Sequence, residues 1–164
     1  MTDFSYRGIN FRTHGPAANP TDIATMEQEL GARLPNDFRQ FLFASDGGMI
    51  ESNRGVLVSI RKQTPRLIEF LCFYELKEIP IALRGYDFIQ RVPDLIIPLG
   101  RFTNDCMPCV SLREKDYGHI YIWAPRELWN TEDEVLVQTK RDIFFLANSF
   151  NAFLDLLQPI PEER

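Results

Sequence analysis

The chain has 164 residues, of which 45% are hydrophobic and 25% are charged, and this ordinary globular balance excludes a disordered chain. The 18 basic and 23 acidic residues give a formal net charge of −5, which disfavours nucleic-acid binding and favours a basic partner. No segment is apolar for long enough to span a membrane or to serve as a signal peptide, so we expect a cytoplasmic protein that does not bind membranes.

The N-terminal part predicts an arm followed by a helix. Residues 1–19 are typical of a loop, with one short strand near 6–11. We expect Thr21 or Asp22 to cap the following helix and Gly31 to end it in the left-handed conformation. The apolar stripe of this helix consists of Ile23, Met26 and Leu30.

A second helix is predicted within residues 34–48, which read LPNDFRQFLFASDGG. Pro35 suits the first helical position, where its missing N–H costs nothing. Gly47 and Gly48 should end the helix and allow a sharp turn. Its predicted inward face consists of Phe38, Phe41 and Leu42.

The central region predicts a sheet, and the C-terminal region predicts a helix. Residues 75–92 are ambiguous, residues 113–118 should form a hairpin connection, and residues 135–137 could add an edge strand. Ser149 should cap the last helix. The predicted strands cover residues 56–60, 67–74, 94–100, 107–112 and 118–123.

This order of elements predicts an α+β fold with a mixed, largely antiparallel sheet, two N-terminal helices and a C-terminal helix. The strands are grouped instead of alternating with helices, which is why the α+β class is favoured over an alternating α/β fold. We expect a single domain over residues 1–164, made of an arm at 1–19 and a core at about 20–158.

The candidate chemical motifs are sparse. Cys106 and Cys109 form a CxxC, but zinc needs about four ligands, and Cys72 and His119 could complete a set only if the fold brought them together. The redox interpretation expects a helix after the motif, whereas a strand is predicted here. Ordinary reduced cysteines are therefore favoured, and we expect neither a metal nor a cofactor.

A catalytic site is not indicated either. His119 lies near Asp116 in the sequence, so an acid–base pair is conceivable, but no nucleophile elbow or phosphate-binding loop accompanies it. A polar residue on a sheet face is the favoured interpretation of His119. We therefore expect a protein that is not an enzyme.

Acidic side chains around an aromatic residue predict a surface that docks a basic partner. The clearest case is the segment ELWNTEDE, in which rim charges could steer association and the tryptophan could anchor it. The alternative is a solvated loop with a half-buried tryptophan. The predicted partner-binding residues are Asp46, Glu51, Asp116, Trp129, Glu132, Asp133 and Glu134.

Four short motifs follow one another over about residues 21–158. The motif positions are Glu27, Leu30, Leu34, Pro35, Phe38, Phe41, Leu42, Gly47 and Gly48, then residues 97–100, then Gly118, Ile120, Tyr121 and Trp123, and finally Ser149, Phe150, Phe153 and Leu154. With these motifs in this order the chain resembles the SUKH superfamily, which includes many bacterial toxin-immunity proteins and fungal cell-wall regulators.

The resemblance implies an α+β fold that acts by binding. It suggests an immunity protein, monomeric or weakly dimeric, that occludes a cognate toxin, with a nuclease-type toxin favoured because a basic substrate cleft would attract an acidic inhibitor. The alternative is a regulatory or scaffolding module that binds an endogenous protein or peptide. The matched residues are mostly core and turn positions, so they carry the fold rather than a binding site.

Overall fold

The computed structural model describes residues 2–13, 16–59, 64–85, 92–124 and 143–161. Within these ranges the chain forms four α-helices, which together with the strands confirm the predicted α+β class. The two N-terminal helices and the C-terminal helix are present as predicted. The helices are α1 (Pro20–Leu30), α2 (Asn36–Ala44), α3 (Ile79–Leu83) and α4 (Phe150–Leu156).

The described strands form two antiparallel sheets. The larger has the order β1-β2-β3-β5-β4-β11, with β7 also paired to β5, and the smaller has the order β10-β9-β8-β6. The strands are β1 (Thr2–Tyr6), β2 (Ile9–Thr13), β3 (Gly48–Ile50), β4 (Arg54–Val58), β5 (Arg66–Phe73), β6 (Ile96–Pro98), β7 (Gly100–Phe102), β8 (Met107–Ser111), β9 (Ile120–Trp123), β10 (Ile143–Ala147) and β11 (Gln158–Pro159).

The N-terminal arm is a β-hairpin, so its prediction as a loop was wrong. Strands β1 and β2 pair over five consecutive positions, from Tyr6 opposite Ile9 outwards. The turn consists of Arg7 and Gly8, both with positive φ, which is the geometry that matches the twist of a two-residue hairpin. Alternate residues of β2 are buried, so the hairpin belongs to the core rather than flanking it.

The caps of the first two helices differ from the prediction by one to three residues. Asn19 caps α1, because its side-chain oxygen accepts the amide of Asp22 at 2.8 Å, whereas Thr21 or Asp22 was the expected cap. Gly31 ends α1 with φ 72°, as predicted. Pro35 stands at the cap position of α2 and not inside the helix. The predicted inward face of α2 is confirmed by the buried residues Phe38, Phe41 and Leu42.

The main core is built from phenylalanine rings contributed by both ends of the chain. Phe41 of α2 lies 5.1 Å from Phe73 of β5 and 5.3 Å from Phe150 of α4, measured between ring centroids. Phe11 of β2 packs on the same ring at 5.7 Å. Each such aromatic pair adds about 0.5–1.5 kcal/mol beyond simple area burial. The hairpin and the last helix are therefore joined through α2.

The remaining differences concern the sheets. The strand predicted over 94–100 is divided into β6 and β7, and the strands β3, β10 and β11 were not predicted. Strand β7 begins at Gly100, where its backbone lies close against β5. A Cβ at this position would lie 2.2 Å from the carbonyl oxygen of Cys72, so glycine is required there. The edge strand predicted at 135–137 lies outside the described residues. Within the described ranges, no helix has the length and hydropathy needed to cross a bilayer.

Candidate functional site

The predicted partner-binding residues fall into three places. Asp46 follows α2, and Glu51 lies in the turn between β3 and β4. Asp116 lies between β8 and β9, in the smaller sheet. The other predicted residues lie outside the described part of the chain, so they stay predictions; these are Trp129, Glu132, Asp133 and Glu134.

Asp46 is positioned by a tight passage of the backbone after α2. The buried Ser45 ends the helix, with its amide donating to the carbonyl of Phe41 at 2.8 Å and its hydroxyl donating to the carbonyl of Gly47 at 2.9 Å. Gly47 has φ 78°, and a Cβ there would lie 2.7 Å from the backbone nitrogen of Glu75. Only glycine therefore allows residues 45–48 to run directly against the end of β5.

This passage brings together carboxylates that are distant in the sequence. The side chain of Asp46 accepts the amide of Leu76 at 2.7 Å, which caps the 3-10 turn Leu76–Glu78. In the same turn, the amide of Glu75 donates to the Glu78 carboxylate at 2.9 Å. Burial raises the pKa of Asp46 above 3.8, and the neighbouring Glu75 raises it further, while the Leu76 amide lowers it.

Two adjoining depressions meet at Asp46 and Lys77, and we call them together the acidic groove. The first has a volume of about 330 Å³ and the second about 400 Å³. The first is lined by Arg12, Thr13, Asp46, Gly48, Met49, Cys72, Phe73, Glu75, Lys77 and Glu78. The second is lined by Asp22, Thr25, Met26, Glu29, Asp46, Leu76, Lys77 and Pro80.

The lining of the acidic groove is unbalanced in charge. It carries five carboxylates, from Asp22, Glu29, Asp46, Glu75 and Glu78, against the two cations of Arg12 and Lys77. The ammonium of Lys77 lies 3.1 Å from a Glu75 oxygen, but its side chain is 79% exposed, so this pair is weak.

Arg12 connects Glu51 to the edge of the groove. Its guanidinium nitrogen lies 3.1 Å from an Asp3 oxygen and 4.0 Å from a Glu51 oxygen. Two predicted residues, Asp46 and Glu51, therefore lie on one side of the molecule, with Arg12 between them. Both pairs join exposed side chains and are therefore weak, so Arg12 remains one of the two positive charges that line the groove.

Asp116 lies in a different environment, which we call the Asp116 network. Its carboxylate accepts the Ser111 hydroxyl at 2.5 Å, the Tyr121 hydroxyl at 2.5 Å and Arg113 Nε at 3.1 Å, and it forms an ion pair with Arg113 Nη2. Burial would raise the pKa of Asp116, but the hydrogen bonds from Arg113, Ser111 and Tyr121 hold it far below 3.8. The carboxylate is therefore occupied by donors of its own chain.

The CxxC does not form one site. Cys106 belongs to the main core, whereas Cys109 belongs to a second cluster with Ile96 and Trp123. Burial raises the pKa of the Cys109 thiol, so it does not provide a thiolate at neutral pH. Within the described ranges, no group of three or more potential ligands could hold a metal ion.

The His119 ring packs against Phe145, with centroids 5.6 Å apart.

Most residues of the acidic groove were not among the predicted partner-binding residues. Glu75 and Glu78 fall in the segment 75–92, whose secondary structure is ambiguous from the sequence, but the three-residue spacing that forms their capping box was a usable signal.

Two other acids on the first helices have structural roles. Glu27 accepts the amide of Leu34 at 2.8 Å, and Asp37 accepts the amide of Asn151 at 3.0 Å.

The sequence matches one known family. The model of the SMI1/KNR4 family, also called SUKH-1, matches residues 17–156, which is most of the chain. The chain belongs to the SMI1/KNR4 family. The resemblance to the SUKH superfamily is thereby confirmed.

A relative from a prophage supports the assignment to the SMI1/KNR4 family. The chain is 25% identical over 173 residues to the SPbeta prophage-derived uncharacterized protein YokK of Bacillus subtilis (strain 168). That similarity covers 90% of this chain and 79% of YokK. The β1–β2 hairpin lies before the family match, while the sequence that forms α1, the Asp46 turn and Glu75 lies within it.

Proposed function

We propose that this SMI1/KNR4 protein is an immunity protein that binds a cognate toxin and neutralises it by occlusion, using the acidic groove as part of its binding surface. The observation that carries the proposal is the unbalanced groove, in which five carboxylates face two cations. The prophage origin of the relative YokK supports a role in conflict between genetic elements. Family membership supports a binding function.

The electrostatics favour a basic partner. A surface that concentrates one sign of charge speeds the approach of the opposite sign and rejects partners of like charge. A nuclease-type toxin fits this requirement, because a cleft that holds a phosphate backbone is rich in lysine and arginine. The acidic groove would then cover the substrate cleft of the toxin.

The environment of Asp46 also favours a bound cation. Its carboxylate is partly desolvated, lies beside Glu75, and accepts one backbone amide. A lysine or arginine entering the groove would stabilise the ionised form and lower the pKa of Asp46 toward its ordinary value. Binding would therefore be coupled to proton release in the range just above that value.

We also propose that the protein acts by binding and not by catalysis. It would do so in the cytoplasm of the producing cell and without a cofactor. The predicted docking residues Trp129, Glu132, Asp133 and Glu134 remain part of the proposal. A regulatory module that binds an endogenous protein is the second candidate, because a basic host protein would also be attracted to the five carboxylates of the groove.

Co-expression with the toxin encoded beside the gene tests the proposal. We expect rescue of growth and a stable one-to-one complex of the two purified proteins. Failure of both with a verified toxin would contradict the immunity function. An endogenous protein that forms the complex in its place would support the second candidate.

A charge-reversal pair tests the acidic groove itself. Glu29 lines the groove and is exposed, and within the described part of the chain it forms no hydrogen bond or ion pair. We expect Glu29→Lys to slow association with the toxin by about an order of magnitude at low salt. The matched control is Glu114→Lys, which makes the same charge change on the exposed turn between β8 and β9. Equal slowing by both variants would exclude the groove as the contact.

A further inference from the structure

The two strand orders end at four strands, and three of them carry features that discourage pairing with another chain. β11 has two residues and includes Pro159, and β6 has three residues and ends at Pro98. The register of β10 shifts between Phe145 and Ala147. Short length, proline and bulges are the devices by which natural sheets protect their edges.

Strand β1 differs from the other three. It has five residues, contains neither proline nor lysine, and pairs with β2 without any register shift. Within the described part of the chain, no strand pairs with its outer edge. Its single charged side chain, Asp3, lies on the exposed face. Among the four end strands in the described part of the chain, β1 is the one suited to strand addition.

The hairpin turn determines which backbone groups face outwards. In a two-residue hairpin, the residues beside the turn exchange hydrogen bonds, so Tyr6 bonds with Ile9, and the pattern alternates from there. Phe4 therefore bonds with β2, whereas the N–H and C=O groups of Asp3 and Ser5 point away from it. The carbonyl of Asn10, which stands opposite Ser5, accepts the amide of Glu51 at 3.1 Å, as this alternation requires.

We infer that β1 is a dimerisation edge, at which two copies of this chain pair antiparallel about Phe4. Asp3 of each copy then stands opposite Ser5 of the other copy. The two residues exchange N–H···O bonds in both directions, which gives four hydrogen bonds across the two-fold axis. Phe4 of one copy meets Phe4 of the other at the close, non-hydrogen-bonded position.

A second copy fits the chemistry of this edge. The two-fold register sets Asp3 against a serine hydroxyl that can donate to its carboxylate, and it keeps the two aspartates from facing each other. Phe4 and Tyr6 are half-buried and rest on the Phe41 ring, at 6.2 and 5.3 Å between centroids. Their uncovered area at the edge would be covered by the Phe4 ring of the other copy. Because five residues bury little area, the dimer is weak, with a dissociation constant in the micromolar to millimolar range.

Sedimentation of the full chain across micromolar to millimolar concentrations tests the inference. We expect the mass to rise from that of one chain towards that of two. In Ser5→Pro the outward N–H is lost, and proline is tolerated at such an edge position, so the variant should stay monomeric. Ser5→Ala keeps the N–H and should still dimerise. A wild-type chain that is monomeric throughout, or a folded Ser5→Pro variant that dimerises unchanged, would overturn the inference.

Amide exchange of the wild-type chain gives an answer that does not depend on the proline variant folding. The amides of Asp3 and Ser5 should become protected as the concentration rises. Those of Phe4 and Tyr6 should be protected at every concentration, because they bond within the hairpin. Exchange at Asp3 and Ser5 that does not change with concentration, in a sample that dimerises, would place the interface elsewhere and contradict the inference.

Discussion

The acidic groove and the Asp116 network use carboxylates in opposite ways. Asp116 accepts hydrogen bonds from three side chains, and its pKa lies far below the ordinary value. Asp46 accepts one backbone amide, stands beside Glu75, and has a raised pKa. A carboxylate with a full set of internal donors supports the fold, whereas one that lacks them leaves charge available for another molecule.

Removing the Asp116 carboxylate should produce the largest loss of stability that this comparison predicts. Its side chain is only 10% exposed, and Asp116→Ala would leave Arg113, Ser111 and Tyr121 without their common acceptor. We expect the free energy of unfolding to fall by about 2–4 kcal/mol. Urea denaturation measures this loss.

Glu114→Ala is the matched control, because Glu114 is exposed in the same turn. We expect it to change the free energy of unfolding by no more than about 0.5 kcal/mol. Equal effects of the two substitutions would mean that the network adds nothing to the stability of the turn.

A change of pH should alter the stability of the fold in opposite directions through Asp116 and through Asp46. The pKa of Asp116 is depressed in the folded state, so its stabilisation is present above the ordinary value of 3.8 and is lost as the pH falls below it. The pKa of Asp46 is raised, so its ionisation destabilises the fold as the pH rises above 3.8. Denaturation of Asp116→Asn and Asp46→Asn between pH 3 and 7 (about the range of carboxylate titration) measures both slopes.

Relative to wild type, Asp116→Asn should lose less stability on acidification, and Asp46→Asn should lose less as the pH rises. Slopes of the same sign for the two variants would show that the two environments do not differ as the structure indicates. The comparison is internal, since both variants replace an aspartate by its amide.

At neutral pH, Asp46→Asn should slow association with the partner without lowering the stability of the fold. The asparagine oxygen can still accept the Leu76 amide, and the partly desolvated charge is gone, so we expect the free energy of unfolding to stay equal or to rise slightly. Association with a basic partner should become slower, because one carboxylate of the groove has been neutralised. Stopped-flow association and thermal unfolding measure the two effects, and a marked loss of stability without slower binding would assign Asp46 a structural role.

The sequence predicted the fold better than the site, and particular residues show why. The inward face of α2 and the end of α1 at Gly31 follow from local spacing and backbone preference, so they were predictable. The hairpin was missed because the Arg7–Gly8 turn puts a non-glycine residue at positive φ, which is an uncommon choice. The groove joins Asp46 to Leu76 across 30 positions, a contact made by tertiary packing that no local pattern contains.

The smallest expected effect concerns Lys77, one of the two cations in the acidic groove. Its pair with Glu75 is exposed, so Lys77→Ala should change the free energy of unfolding by no more than about 0.5 kcal/mol. Removing its charge makes the groove more negative, and association with a basic partner should therefore become faster at low salt, by a factor of about two to three. The control Lys115→Ala removes an exposed lysine from the turn between β8 and β9 and should leave the rate closer to that of wild type. If both variants bind faster by the same factor, the net charge of the protein and not the groove directs association.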